Sequence, residues 1–206
     1  MPWVFVNPGE NEVEKTTAAK GPELVYRLRV DLQHVRPPIW RRFTVLGSAS
    51  LYQVHQAIIA VMGWGGAHLY SIEVAGTSFG DPDPELGLRS AKSVRLERVA
   101  EEGDAFTYVY DFGDDWQHTV RVEEVHRLSR EEKVPLVLAG KRACPPDDVG
   151  GVWGYDEFLA SVADPKHPEH QDMMEWIGGE WDPEDFRRDL AEARLRQVAR
   201  RGRWAR

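Results

Sequence analysis

Between residues 24 and 63 the apolar positions change their spacing, and this change restricts the fold more than any other feature of the chain. "LVYRLRVDLQH" (24–34) and "IWRRFTVL" (39–46) alternate apolar and polar residues, as strands with one buried face do. Pro37 and Pro38 mark the connection between them. In "SASLYQVHQAIIAVMGW" the period becomes helical, with Leu51, Val54, Ile58, Val61 and Met62 on one stripe. Ser50 followed by Gln53 forms a capping box, and Gly63 supplies a stop. "HLYSIEVAGTSFG" (68–80) returns to alternation. The opening therefore reads ββαβ and resembles a β-grasp arrangement.

The remainder continues the sheet and then turns helical. A polar excursion over 81–104 holds one short helix or strand near Val94 to Val99. Residues 106–112 and 116–126 read as a hairpin, and "VPLVLAG" as one more strand. Two prolines and three glycines exclude regular structure from "CPPDDVGGVWGY". From Tyr155 the pattern is helical, with Asp182 as cap and Pro183 as first residue of the last helix. Strands grouped first and helices last predict an α+β fold with a mostly antiparallel sheet and a C-terminal helical segment. The 206 residues suit one domain over 23–190, after a flexible leader over 1–22 and before a basic helix end over 191–206.

Composition narrows the setting. No run of eighteen apolar residues spans a bilayer, and the N-terminus lacks the basic and apolar regions of a signal peptide. The single Cys144 precludes an internal disulfide framework and fits a reducing compartment, so a soluble, cytoplasmic protein without membrane contact is expected. A net charge of −8 argues against a general nucleic-acid coat. Residues 187–206 reverse the sign, with eight arginines against Asp189 and Glu192, and this Arg-rich end is the place where a protein or nucleic-acid partner would be met.

"YVYDFGDDWQHTVRV" (108–122) concentrates aspartates, a tryptophan and a histidine between two strands. Its "DFG" lacks the glycine-rich loop, strand lysine and catalytic loop that a kinase needs. GxSxG, P-loop, GxGxxG and HExxH patterns are likewise missing. With Asp114 and Asp115 as a two-residue turn, Asp111 faces His118, within reach of a hydrogen bond or a shared metal. With Gly113 and Asp114 as the turn, Asp111 faces Trp116 and His118 faces Val109. His68 opens a strand, and Cys144, Asp147 and Asp148 lie on a rigid loop leading to Tyr155. One Cys with two carboxylates is not zinc-finger spacing, and as a nucleophile Cys144 needs a base that only folding brings. His167 and His170 sit at a helix start, where exposed polar residues are ordinary. The candidate pocket is thus His68, Asp111, Asp115, Trp116, His118, Cys144, Asp147, Asp148 and Tyr155, and the candidate metal ligands are His68, Asp111 and His118.

Four segments in order, "YRLRVDLQHVRPPIWRR", "GWGGAHLYSIEV", "FTYVYDFGDDWQHTVRVEE" and the acidic stretch from "CPPDDVGGVWGY" to "EWDPEDF", resemble the plasmid pRiA4b ORF-3-like family across roughly 24–190. Asp147 and Asp148 stand where many relatives have Glu then Asp, which keeps both charges. The resemblance implies kinship with passenger proteins of IS1096-type insertion elements, and hence a mobile-element association, but no catalytic residues. Without a complete catalytic signature, the first reading is a non-enzymatic binding or interaction module whose Trp64, Trp116, Trp153 and Trp181 lie at loop or turn edges. The alternative is a metal-dependent hydrolase or nuclease built on the His/Asp cluster. No cofactor is evident other than a divalent metal.

Overall fold

The computed structural model describes residues 23–204, so the expected leader and the last two residues of the basic end lie outside the described residues. Eight strands form one sheet: β1 (Leu24–Leu32), β2 (Trp40–Leu46), β3 (Tyr70–Val74), β4 (Thr77–Gly80), β5 (Arg89–Ser90), β6 (Ala105–Tyr110), β7 (Trp116–Arg127) and β8 (Leu136–Lys141). Four helices accompany them: α1 (Leu51–Met62), α2 (Gly151–Ala163), α3 (His170–Ile177) and α4 (Arg188–Arg201). The sheet order is β5-β4-β3-β6-β7-β1-β2-β8, and only β4 and β5 run parallel. The α+β class, the mostly antiparallel sheet and the C-terminal helices match the sequence pattern. The β-grasp resemblance does not extend to the sheet: β6 and β7 separate β3 from β1, so the ββαβ order of the chain is not a closed sheet unit.

The alternation in β1 directs Tyr26, Leu28, Val30 and Leu32 into the core, where α1 meets them with Leu51, Val54, Ile58 and Val61. Ser50 accepts from the Gln53 N–H while Gln53 Oε1 takes the Ser50 N–H, and Gly63 closes the helix at φ 102°. This capping box and glycine stop are the devices expected from the sequence.

Local chemistry overrides the sequence pattern at four places. First, Tyr110 pairs with Trp116 and Tyr108 with His118, so the hairpin loop holds the five residues Asp111 to Asp115 and neither two-residue turn forms. Asp111 and Asp115 adopt left-handed φ of 58° and 52°. Asp111 Oδ1 accepts the Gly113 N–H, a self-bonded turn that aspartate tolerates better than most residues. Second, α2 starts at Gly151, inside the stretch expected to be irregular, because Gly150 and Gly151 absorb the positive φ that turns the loop into the helix. Third, Asp182 takes the Glu184 N–H in a turn, and α4 begins at Arg188 instead of Pro183. Fourth, one 3-10 turn, Leu96–Arg98, occupies the ambiguous segment near 94–99, and β5 adds a strand that the polar pattern hides.

The boundary expected at residue 190 falls inside α4, which is part of the core. Ala191, Leu195 and Ala199 are buried, and α4 packs on α1 and β8. No helix among the described residues is long and apolar enough to cross a membrane.

Candidate functional site

Strand pairing creates the centre of the site. β3 and β6 are neighbours, with Tyr70 opposite Tyr110, and the Asp111 N–H extends their ladder to Leu69 O at 2.8 Å. Asp111, one residue past β6, and His68, two residues before β3, therefore meet at the same end of the sheet. Asp111 Oδ2 lies 3.4 Å from His68 Nδ1, while Oδ1 is held by the Gly113 N–H at 2.9 Å. The imidazole also stands edge-on to the Tyr110 ring at 5.7 Å.

The third side chain comes from the loop between β8 and α2. Asp148, at φ 61°, places Oδ1 3.1 Å from His68 Nε2. That loop is pinned to the hairpin: Asp114 Oδ2 accepts the Gly150 N–H at 3.2 Å, and a Cβ at Gly151 would lie 2.5 Å from Asp114 O. Asp147 faces the other side, where Oδ2 takes the Gly65 N–H at 2.6 Å. Its pKa is pushed up first by burial, against the pull of the Gly65 N–H, and further by Asp148 and Asp111.

One ligand atom each from His68, Asp111 and Asp148 lies within 4.8 Å of the others. One imidazole with two carboxylates suits manganese or zinc, and three protein ligands leave coordination positions for water or a bound group. The two carboxylates approach different nitrogens of the one imidazole, Asp111 at Nδ1 and Asp148 at Nε2.

The other candidates from the sequence separate from this cluster. His118 is fully buried in the sheet, 3.3 Å from Tyr108 O through Nδ1 and edge-on to Trp64, and burial pushes its pKa down to about 4. It is not near Asp111, because the five-residue loop shifts it opposite Tyr108. Asp115 turns outward to Gln117 Nε2 at 2.7 Å. Trp116 is core, 6.0 Å from Trp64. Cys144 sits against Arg41, and burial pushes its thiol up to about 12, which removes the thiolate a nucleophile needs. Tyr155 packs on Phe158 and Trp181, and burial pushes its hydroxyl up to about 12. His170 bonds Ser161 O through Nδ1 at 2.8 Å, whereas His167 accepts the Glu169 N–H, so they form no pair.

Among the four tryptophans expected at edges, Trp64 and Trp116 are buried and Trp181 is partly buried. Trp153 is 84% exposed on the first turn of α2, a few residues beyond Asp148. Phe112, next to Asp111, is also exposed. Asp114, a turn residue in either register and not among the candidate site residues, is the one that ties the two loops together. Its signal was a second aspartate at a loop position where no strand pattern accounts for it.

A family model described as plasmid pRiA4b ORF-3-like protein matches residues 24–190. The uncharacterized protein y4hQ of Sinorhizobium fredii (strain NBRC 101917 / NGR234) is 39% identical over 158 residues, 75% of this chain and 81% of its own length. The crystal structure of MM3350, a protein of unknown function from Methanosarcina mazei Go1, superposes with a TM-score of 0.76 at 37% identity, over 81% of this chain and 97% of that one.

Proposed function

The chain belongs to the plasmid pRiA4b ORF-3-like family, and from that premise we propose that it is a binding module organised around a divalent cation held by His68, Asp111 and Asp148. The observation that carries this reading is the convergence of those three side chains from three separate loops, with Asp111 held by the Gly113 N–H and the Asp148 loop pinned to the hairpin through Asp114 and Gly150. The cation cross-links the β6–β7 loop to the loop before α2 and so fixes the exposed Trp153 and Phe112 as a recognition surface. Elemental analysis after dialysis against Mn²⁺ or Zn²⁺ tests the reading: about one metal per chain supports it. Chains that retain no metal above background overturn it.

The Asp111–His68 pair favours a second reading, a metal-dependent hydrolase in which Asp111 orients the imidazole and Nε2 or the cation activates water. The lack of an accessible serine or thiolate nucleophile in the cluster confines this chemistry to water attack. Turnover of an activated phosphodiester, bis(p-nitrophenyl) phosphate, with Mn²⁺ and its loss in His68→Ala would favour this reading. Stoichiometric metal without turnover leaves the binding module.

A further inference from the structure

Arg41 on β2 is 2% exposed, and no carboxylate answers its charge among the described residues. Its hydrogen bonds run from Nε to Val61 O at 2.9 Å and from Nη1 to Trp40 O and Lys141 O at 2.9 and 3.0 Å. All three acceptors are neutral carbonyls, and none of these bonds uses Nη2. The nearby Cys144 thiol stays neutral because burial pushes it up to about 12. A buried cation without a counter-charge is costly unless an anion reaches it.

The guanidinium lines a cleft of about 370 Å³ between the end of α1, the 143–147 loop and the segment joining α3 to α4. This volume is typical of small-molecule sites. Its lining is mixed, and three flat aromatic side chains stand on it: Trp64, Trp181 and Phe186, whose ring centroid lies 4.3 Å from Arg41 Cζ. Trp64 is fixed in place by its Nε1–H donating to Pro145 O at 2.9 Å. Arg194, exposed on α4, lines the mouth and extends over Gly63, where an added Cβ would meet its Nη1 at 2.7 Å. Of the two acids on the lining, Asp147 is bonded to the Gly65 N–H and Asp185 is exposed, so neither neutralises Arg41.

We propose that this cleft binds a small organic acid, its flat apolar body between Trp64, Trp181 and Phe186 and its carboxylate directed at Arg41 Nη2 and Arg194. The planar guanidinium favours a carboxylate over a neutral isostere, and the aromatic walls favour an apolar body over an inorganic anion. The cleft is distinct from the cation site, although adjacent residues of one loop serve them: Asp147 lines the cleft and Asp148 joins the cluster.

Phenylacetate and its neutral counterpart phenylacetamide, titrated into the intact chain and followed through the indole N–H resonances of Trp64 and Trp181, test the proposal. Phenylacetate should shift both resonances saturably, and phenylacetamide should bind at least about tenfold more weakly. Arg41→Met also removes three bonds to main-chain carbonyls, so the exposed Arg194→Glu carries the mutational arm. It should weaken phenylacetate about fivefold or more at unchanged thermal stability, with phenylacetamide unaffected. Equal affinity for acid and amide, shifts confined to other residues, or no shift up to about 20 mM overturns the proposal.

Discussion

Asp111 Oδ2 stands 3.4 Å from Nδ1 of His68 because the strands that precede and follow them, β6 and β3, are hydrogen-bonded neighbours. The pair is thus a product of sheet register, not of loop flexibility, and it leaves Nε2 free to face Asp148 at 3.1 Å. What makes the cluster depend on the rest of the molecule is the loop before α2, which is held against the hairpin through Asp114 and Gly150.

That dependence makes Gly154 a sensitive position. A Cβ there would fall on the Val149 carbonyl oxygen, backbone that cannot yield without moving the Asp148 loop. Gly154→Ala should cost about 1–3 kcal/mol in denaturant unfolding and weaken Mn²⁺ binding several-fold, although residue 154 offers no ligand. Unchanged stability would show that the loop relaxes at no cost.

The basic C-terminal helix is structural before it is anything else. Leu195 has no exposed surface and lies in the main core. Leu195→Ala should lower unfolding free energy by about 2–5 kcal/mol, the range for a buried leucine that leaves a cavity. Removing the chain after Phe186 should therefore unfold the protein, so loss of DNA affinity in such a truncation would not identify a binding tail. Survival of a cooperative melt in Leu195→Ala at the wild-type midpoint would contradict the packing of α4.

His118 predicts an acid-sensitive stability. Burial lowers its folded pKa from about 6.5 to about 4, so the unfolded chain binds the extra proton between these values. The stability from this group is complete above pH 6.5 and is lost as pH falls toward 4, about 3 kcal/mol in all. His55, stacked on Tyr70 at 3.6 Å and pushed down to about 3, acts in the same direction. Chemical denaturation at pH 7 and pH 4.5 should show a smaller difference in His118→Gln than in wild type. Equal differences would mean that His118 does not bind the proton on unfolding.

Period and capping made much of the fold legible. The Leu24 alternation, the Leu51 stripe and the Ser50–Gln53 box each found the element they predicted, because each is a local signal that the core reinforces. The hairpin register was not legible, because Asp111 and Asp115 both accept left-handed φ and thereby lengthen the loop to five residues. Asp182 shows the same ambiguity: an Asp-Pro pair that starts a helix elsewhere here closes a turn before Phe186 enters the cleft. In the site, residue types pointed to His68, Asp111 and Asp148, but the choice of Asp148 over His118 required the tertiary position of the loop before α2. Arg41 was harder to read: the strand period puts it on the buried face with Phe43 and Val45, but its charge suggests a solvent-facing residue.

Calorimetric titration of Mn²⁺ and Zn²⁺ into wild type, His68→Ala, Asp111→Asn, Asp148→Asn and His118→Gln tests the cation site most directly. Wild type should bind one equivalent, His118→Gln should match it, and each of the other three should bind about 10–100-fold more weakly. Absence of a stoichiometric site in wild type, or affinity that survives loss of His68 and Asp111, would contradict it.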